Sequence, residues 1–220
     1  MLELIMNDEE IKAIINNVNN VIIVNNCGCH GMGHVTRVRN FVKIILQGIG
    51  YCEHTVELGQ IAAYLPDVGA IMGKDGHAER SADFCESYLK KVGMCNEDIK
   101  IVVDPIRNHS KGSSTLIGAS LTFADKIDMC RARMMRFIEG NYFHDNIKHM
   151  LDVQLTVNQE NIIVNIITDK LFDYNSLKEY QKMITKPVEM SKYLNRSCIF
   201  QIDGKEIDLY SIVTEKSKHL

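Results

Sequence analysis

The stretch LGQIAAYLPDVGAIMGKDGHAERSA, from Leu58 to Ala82, constrains the chain most. Apolar residues at helical spacing run up to Pro66, which has no N–H and clashes with the preceding turn, so a helix must kink or stop there. Asp67 then stands at a helix end, a glycine-broken loop follows, and a second helix opens just after Gly76-His77. Asp67 and His77 are both candidate metal ligands. Three more stand elsewhere: His34 in HGMGHVTRV, His109 in IRNHS and Asp125 in TFADKID. Spread over about ninety residues, the five cannot chelate as a local motif. They can share an ion only if several helices pack around one point, and that requires a mainly α fold.

The rest of the chain supplies such helices. Asn7 with three acids behind it marks the start of a helix carrying Ile11, Ile14, Ile15, Val18 and Ile22 at helical spacing. The glycine-broken loop NNCGCHGMG leads into a second helix, with Val35, Val38, Val42, Ile45 and Ile49 as its core stripe and His34 in its first turn. A third helix spans about 55 to 65, and a fourth follows His77 to Gly93. A fifth starts at Asn96, with a bend expected at Pro105 before His109. A sixth opens at Ser113 or Ser114 and carries Asp125 beside its apolar stripe. Helical character is expected on through Met134 and Ile138 to Gly140, and again up to Met150.

Near residue 151 the period changes. Val153, Leu155 and Val157 alternate, IIVNII follows a turn, a helix spans about 175 to 194 with a bend or split at Pro187, and Asp203-Gly204 marks a tight hairpin turn. The fold class is therefore mainly α, a helical domain over 1–150 with a small α+β (ββαββ) appendage over 151–220. The change of pattern predicts a separable unit, so that a fragment ending near Met150 stays helical and keeps its metal.

Composition narrows the functions. A net charge of −3 gives no global drive towards nucleic acid or an anionic membrane, and no apolar run approaches a bilayer span. The acidic opening MLELIMNDEE lacks the basic start of a secretory signal, and seven scattered cysteines suit buried thiols in a reducing cytosol, so a cytoplasmic location is expected. Cys27-Gly-Cys29-His30 lacks a second ligand pair at zinc spacing and reads as a loop before a helix. His30 and His34 imitate a helical metal pair, but Gly31 and Gly33 argue against helix there, which sets His30 outside the ligand set. His54, His144, His149 and His219 carry no signal.

In the order and phrasing of HGMGHVTRV, AAYLPDVG, GHAERSA, IRNHS and FADKID, over roughly residues 28 to 140, the chain resembles the HD-domain metal-dependent phosphohydrolases. Their signature is a His, a His-Asp pair, often one or two further His, and a distal Asp. The resemblance implies an HD-domain helical bundle with one or two divalent ions, drawn from Mn, Fe, Mg, Co, Ni and Zn. It implies that His34, Asp67 and Asp125 hold one ion and that His77 and His109, with Asp67 bridging, hold the other. Pro66 stands where the family has the His of its pair, which leaves the first position one donor short. On this reading Pro66→His raises metal occupancy and phosphate release.

The function implied is hydrolysis of a nucleotide or another small phosphate ester. Such an ion polarises a phosphoryl oxygen and activates water, with Asp67 orienting. The alternatives are a catalytically impaired HD-domain protein that binds nucleotide or metal for regulation, and, third in rank, a di-iron oxygenase. The partner expected is a small phosphate-containing ligand, with nucleic acid and membrane disfavoured and a homodimer compatible with the sequence.

Lys and Arg occur on any helical surface, but Arg37, Lys74, Arg80, Arg107, Lys111 and Lys126 lie within a few residues of a candidate ligand. Of these, Arg37, Arg80 and Lys126 are the expected phosphate contacts. Arg131, Arg133 and Arg136 read as a solvated or interdomain face.

Overall fold

The computed structural model describes residues 1–22, 30–134 and 142–214. Cys27, Cys29, Arg136, His219 and the helix expected through Ile138 to Gly140 lie outside them, as does the side chain of His144. The chain starts with α1 (Leu2–Asn7) and α2 (Glu9–Ile22). The break between them is made by Asp8, not Asn7: its Oδ1 accepts from the N–H groups of Glu10 at 2.9 Å and Ile11 at 3.3 Å, capping α2. Then follow α3 (Met32–Ile49), α4 (Glu53–Tyr64), a 3-10 turn (Val68–Met72), α5 (His77–Lys91), α6 (Asn96–Asn108), α7 (Leu116–Ile127) and the short α8 (Tyr142–Ile147). α7 is capped by Thr115, whose Oγ1 accepts from the Gly118 N–H at 3.2 Å, rather than by either of the preceding serines.

α3 packs against α4 and α7, and α6 against α4, α5 and α7. The elements that carry the five spaced residues therefore belong to one connected bundle, as a shared site demands. Pro105 sits inside α6 and helix continues through it, in place of the expected bend. Pro105 is buried, and packing around it offsets the one ladder hydrogen bond it removes.

The C-terminal part has the expected ββαββ order. β1 (Met150–Val157) and β2 (Asn161–Thr168) pair antiparallel, β2 and β3 (Ser197–Ile202) pair parallel, and β4 (Lys205–Glu206) closes an antiparallel hairpin on β3. A parallel pair needs a crossover, and α9 (Gln181–Tyr193) supplies it, preceded by a 3-10 segment (Tyr174–Tyr180) and followed after the hairpin by α10 (Leu209–Thr214). The expected start near 175 is thus 3-10 rather than α, and the buried Pro187 neither splits nor ends α9.

On β2 the buried residues Ile162, Val164 and Ile166 alternate with partly buried ones, so one face is turned into the core. The change from helix to strand falls at Met150, where the sequence pattern changes. One hydrophobic core nevertheless runs across it. Val38, Leu46, Leu121 and Phe123 belong to the same buried cluster as Val164, Ile184 and Phe200. α9 packs along α7 and against β3, and β1 packs on α3.

Among the described residues no helix is long and apolar enough to cross a membrane. Cys52, Cys85, Cys95, Cys130 and Cys198 are free thiols.

Candidate metal centre

Asp67 occupies the turn between α4 and the 3-10 segment, with its carboxylate buried and 5% exposed. Two features fix it there. Pro66 ends the α4 helix, and Gly69 docks against the start of α5. A Cβ at Gly69 would lie 2.5 Å from the Ser81 nitrogen and 2.6 Å from the His77 oxygen, so only glycine allows this approach. The Gly69 N–H also donates to Ser81 Oγ at 2.9 Å.

The two oxygens of Asp67 face different partners. Oδ2 lies 3.0 Å from His30 Nδ1 and 3.8 Å from His34 Nε2, while Oδ1 lies 3.3 Å from His77 Nε2 and 3.6 Å from His109 Nε2. Donor atoms from His30, His34 and Asp67 lie within 4.8 Å of one another, and so do those from Asp67, His77 and His109. A carboxylate between two pairs of imidazoles is what a bridging ligand requires. Burial alone would raise the Asp67 pKa, but the imidazoles around it, His30 first and then His109 and His77, hold it well below the usual carboxylate range.

The second pair shows that the residues fit a cation. His77 Nδ1 lies 2.6 Å from the Lys74 carbonyl oxygen and His109 Nδ1 lies 2.6 Å from that of Ile106, so each Nδ1 carries the proton and donates it. In neutral rings that leaves both Nε2 atoms as lone pairs, and although the Ser110 hydroxyl lies 3.4 Å from His109 Nε2, the two nitrogens face each other at 3.1 Å. Two lone pairs at that distance repel unless a positive centre lies between or beside them. Imidazole nitrogens and carboxylate oxygens together suit Fe, Mn, Co, Ni or Zn. His77 comes from the first residue of α5 and His109 from the C-terminal cap of α6, so each ring is held at a helix end.

His34, 2% exposed in the first turn of α3, is oriented by a residue not singled out in the sequence. Asp128 Oδ2 lies 2.6 Å from His34 Nδ1, and Arg37 grips the same carboxylate with Nε at 2.6 Å and Nη2 at 3.0 Å. This chain turns His34 Nε2 inward, towards Asp67 and towards Asp125 Oδ1 at 3.3 Å. A carboxylate on the far nitrogen is the usual support for a ligating His. Against burial, Asp125 and Asp128 raise the His34 pKa, and Asp128 is held far below the usual carboxylate range by His34 and Arg37 despite burial of its own. Asp128→Asn should weaken metal binding by about 10- to 100-fold, read by calorimetry, with the melting curve still cooperative.

Three expectations are corrected by these contacts. The sequence sets His30 aside because Gly31 and Gly33 argue against helix there, but α3 starts at Met32 with Gly33 inside it, and the turn ahead of it carries His30 to Asp67. Arg37 is committed to Asp128 and does not line the cleft beside the cluster. Arg80 donates to the carbonyls of Gly69 at 3.1 Å, Asp75 at 2.7 Å and Gly73 at 2.5 Å, and so clamps the 69–76 loop rather than facing a ligand.

Lys126 does line the cleft, with Nζ 2.5 Å from Asp125 Oδ2. Asp125 itself sits beside His34 but stands outside both donor groups. Arg133, read from the sequence as part of a solvated or interdomain face, donates to the Asp125 and Asp128 carbonyls at 3.0 Å and also lines the cleft. Arg107 pairs with Glu79 and Asp83 away from it.

The cleft over Asp67, His77 and His109 has a volume of about 560 Å³, and α9 forms one wall, contributing Lys182, Met183, Thr185 and Lys186. Neither models of protein families nor curated proteins match the chain. Among solved structures it is similar to a predicted HD superfamily hydrolase from an uncultured Thermotogales bacterium, at 24% identity and a TM-score of 0.45, over 58% of this chain and 73% of that one.

Proposed function

We propose that this chain is a metal-dependent phosphohydrolase of the HD-domain type, acting on a nucleotide or another small phosphate ester. One observation carries the reading: Asp67 stands between two pairs of imidazoles at the base of a cleft walled by cations. A divalent ion bound there would polarise a phosphoryl oxygen and lower the pKa of a bound water. The chain's own residues do the rest. Asp67 and the four imidazoles hold the charge in place, with His34 steadied by Asp128. The Nδ1–H bonds of His77 and His109 to backbone carbonyls fix their tautomers, so neither ring can turn its donor nitrogen away. Burial of Asp67, His34 and His109 keeps bulk water off one side of the reacting position.

The cations support a phosphate rather than an uncharged substrate. Lys74, Lys126, Arg133, Lys182 and Lys186 face the cleft against Asp67 and Asp125, in a chain whose net charge is −3. Lys126 and Arg133 engage Asp125 and Lys186 pairs with Glu189 at 2.6 Å, so what suits the mouth to an anion is the excess of basic over acidic side chains there. Lys182 and Lys186 are one turn apart on α9, so both can reach the same wall. Neither contacts a candidate metal ligand. Replacing both with alanine should therefore leave metal content unchanged and raise KM about tenfold, ~1.4 kcal/mol for the pair.

The deciding experiment combines elemental analysis of the purified protein with a panel of phosphate esters under added Mn, Mg, Co, Ni, Fe(II) or Zn. Bound metal with metal-dependent phosphate release is expected. Metal without release across the panel would favour the regulatory reading, and bound iron with oxygen uptake would favour an oxygenase.

A further inference from the structure

We propose that His30 stands in for the imidazole missing at position 66, so that the first metal position is completed from the turn ahead of α3 instead of from the end of α4. The inference rests on the metal reading of the cluster but not on hydrolysis. The proline side chain has no donor atom, and Pro66 is buried in the turn beside Asp67. By itself that substitution leaves His34 and Asp67 short of a nitrogen partner.

His30 fills the gap geometrically. Its Nδ1 is 3.0 Å from Asp67 Oδ2, and the same oxygen is 3.8 Å from His34 Nε2. Donors bound to one ion at about 2.1 Å stand roughly 3–4 Å apart, so these separations are those of ligands around a common centre. The two rings meet edge to face, with centroids 5.3 Å apart and planes at 70°, so both can direct nitrogens to one point without stacking.

The position of His30 is built. Its backbone N–H donates to Asn19 Oδ1 at 3.0 Å, which ties the turn to α2. Gly31 lies directly against the Asn19 side chain, where a Cβ would collide with the amide group. Asn19 and Gly31 together thus set the backbone that delivers His30. The glycine that rules out helix at this point is the one that permits the close approach. The ring is largely buried, so it is held in the site and not merely near it.

A plainer role is available to the same side chain: a hydrogen bond that positions Asp67 without any contact to metal. The two differ in what they predict for position 66. If His30 is the replacement ligand, a histidine at 66 is redundant while His30 is present and becomes necessary when it is absent. Pro66→His alone should then change little, unlike the gain expected from the sequence.

The test uses full-length wild type, His30→Ala, His30→Gln, Pro66→His and the His30→Ala/Pro66→His double variant. Each is stripped with a chelator, reloaded with Co(II) alone, and measured by elemental analysis, calorimetry and the Co(II) absorption spectrum. Thermal melts confirm folding, and His30→Gln keeps a hydrogen-bond donor to Asp67 if the alanine variant melts poorly. The expected result is weaker binding at one position, by about 100-fold or more, in both His30 variants. The spectrum should change, Pro66→His should be unaltered, and the double variant should recover affinity. Wild-type affinity in His30→Gln would make His30 a positioning residue and overturn the proposal, as would failure of the double variant to recover. Absence of bound Co(II) in the wild type would instead overturn the metal reading itself.

Discussion

Asp67→Ala removes most of the bound metal from both positions, with affinity falling by about 100-fold or more, at or above the top of the range seen for residues that only support a ligand. The expectation follows from the split of its carboxylate, with Oδ2 towards His30 and His34 and Oδ1 towards His77 and His109. Without it, four imidazoles converge with no shared negative charge between them. A bound cation then loses both a ligand atom and the charge that offsets its own. Asp125→Ala is the informative contrast. Asp125 sits beside His34, and Lys126 and Arg133 already engage it, so its loss should spare the His77–His109 position. Elemental analysis after identical reloading checks both variants. Metal content in Asp67→Ala equal to that of the wild type would exclude Asp67 as a ligand.

The sequence made part of this centre legible and concealed the rest for identifiable reasons. Asp67, His77 and His109 each follow a local signal that survives folding: a proline stop, a helix start and a helix end. The C-terminal ββαββ order was equally plain, because the alternation on β1, the β-rich run IIVNII on β2 and the Asp203-Gly204 turn are short-range features. His30 was hidden because periodicity asks only whether a residue lies on a helical face, and a turn can deliver a side chain just as well. Asp128 shares a phrase with Asp125, but its function emerges only where the end of α7 meets the first turn of α3. That contact also removes Arg37 from the phosphate contacts expected of it. Lys182 and Lys186 read as ordinary surface charge on α9, far in sequence from every ligand. Their place beside the His/Asp cluster depends on the crossover that lays α9 along α7.

A fragment ending at Met150 should not keep a cooperative fold, in contrast to the separable unit that the change of sequence pattern suggests. α7 decides the matter. Ten of its twelve residues are buried, from Ile117 to Asp125 and again at Ile127, so the helix is enclosed on all sides and has no face made for water. One of those sides is covered by α9, which the fragment lacks. β1, which packs on α3, would be lost as well. Burial of one large apolar side chain contributes roughly 1.5–3 kcal/mol, while a whole domain is stable by only about 5–15 kcal/mol. Exposing part of α7 and of α3 together therefore removes a margin comparable to the total. The consequence reaches the centre, because α7 carries Asp125 and leads directly to Asp128, which steadies His34. The fragment should show a broad, shallow thermal transition by circular dichroism and bind Co(II) far more weakly than the full chain. A sharp transition with undiminished metal would mean that the helical part closes its own core, and that α9 serves only as a wall of the cleft.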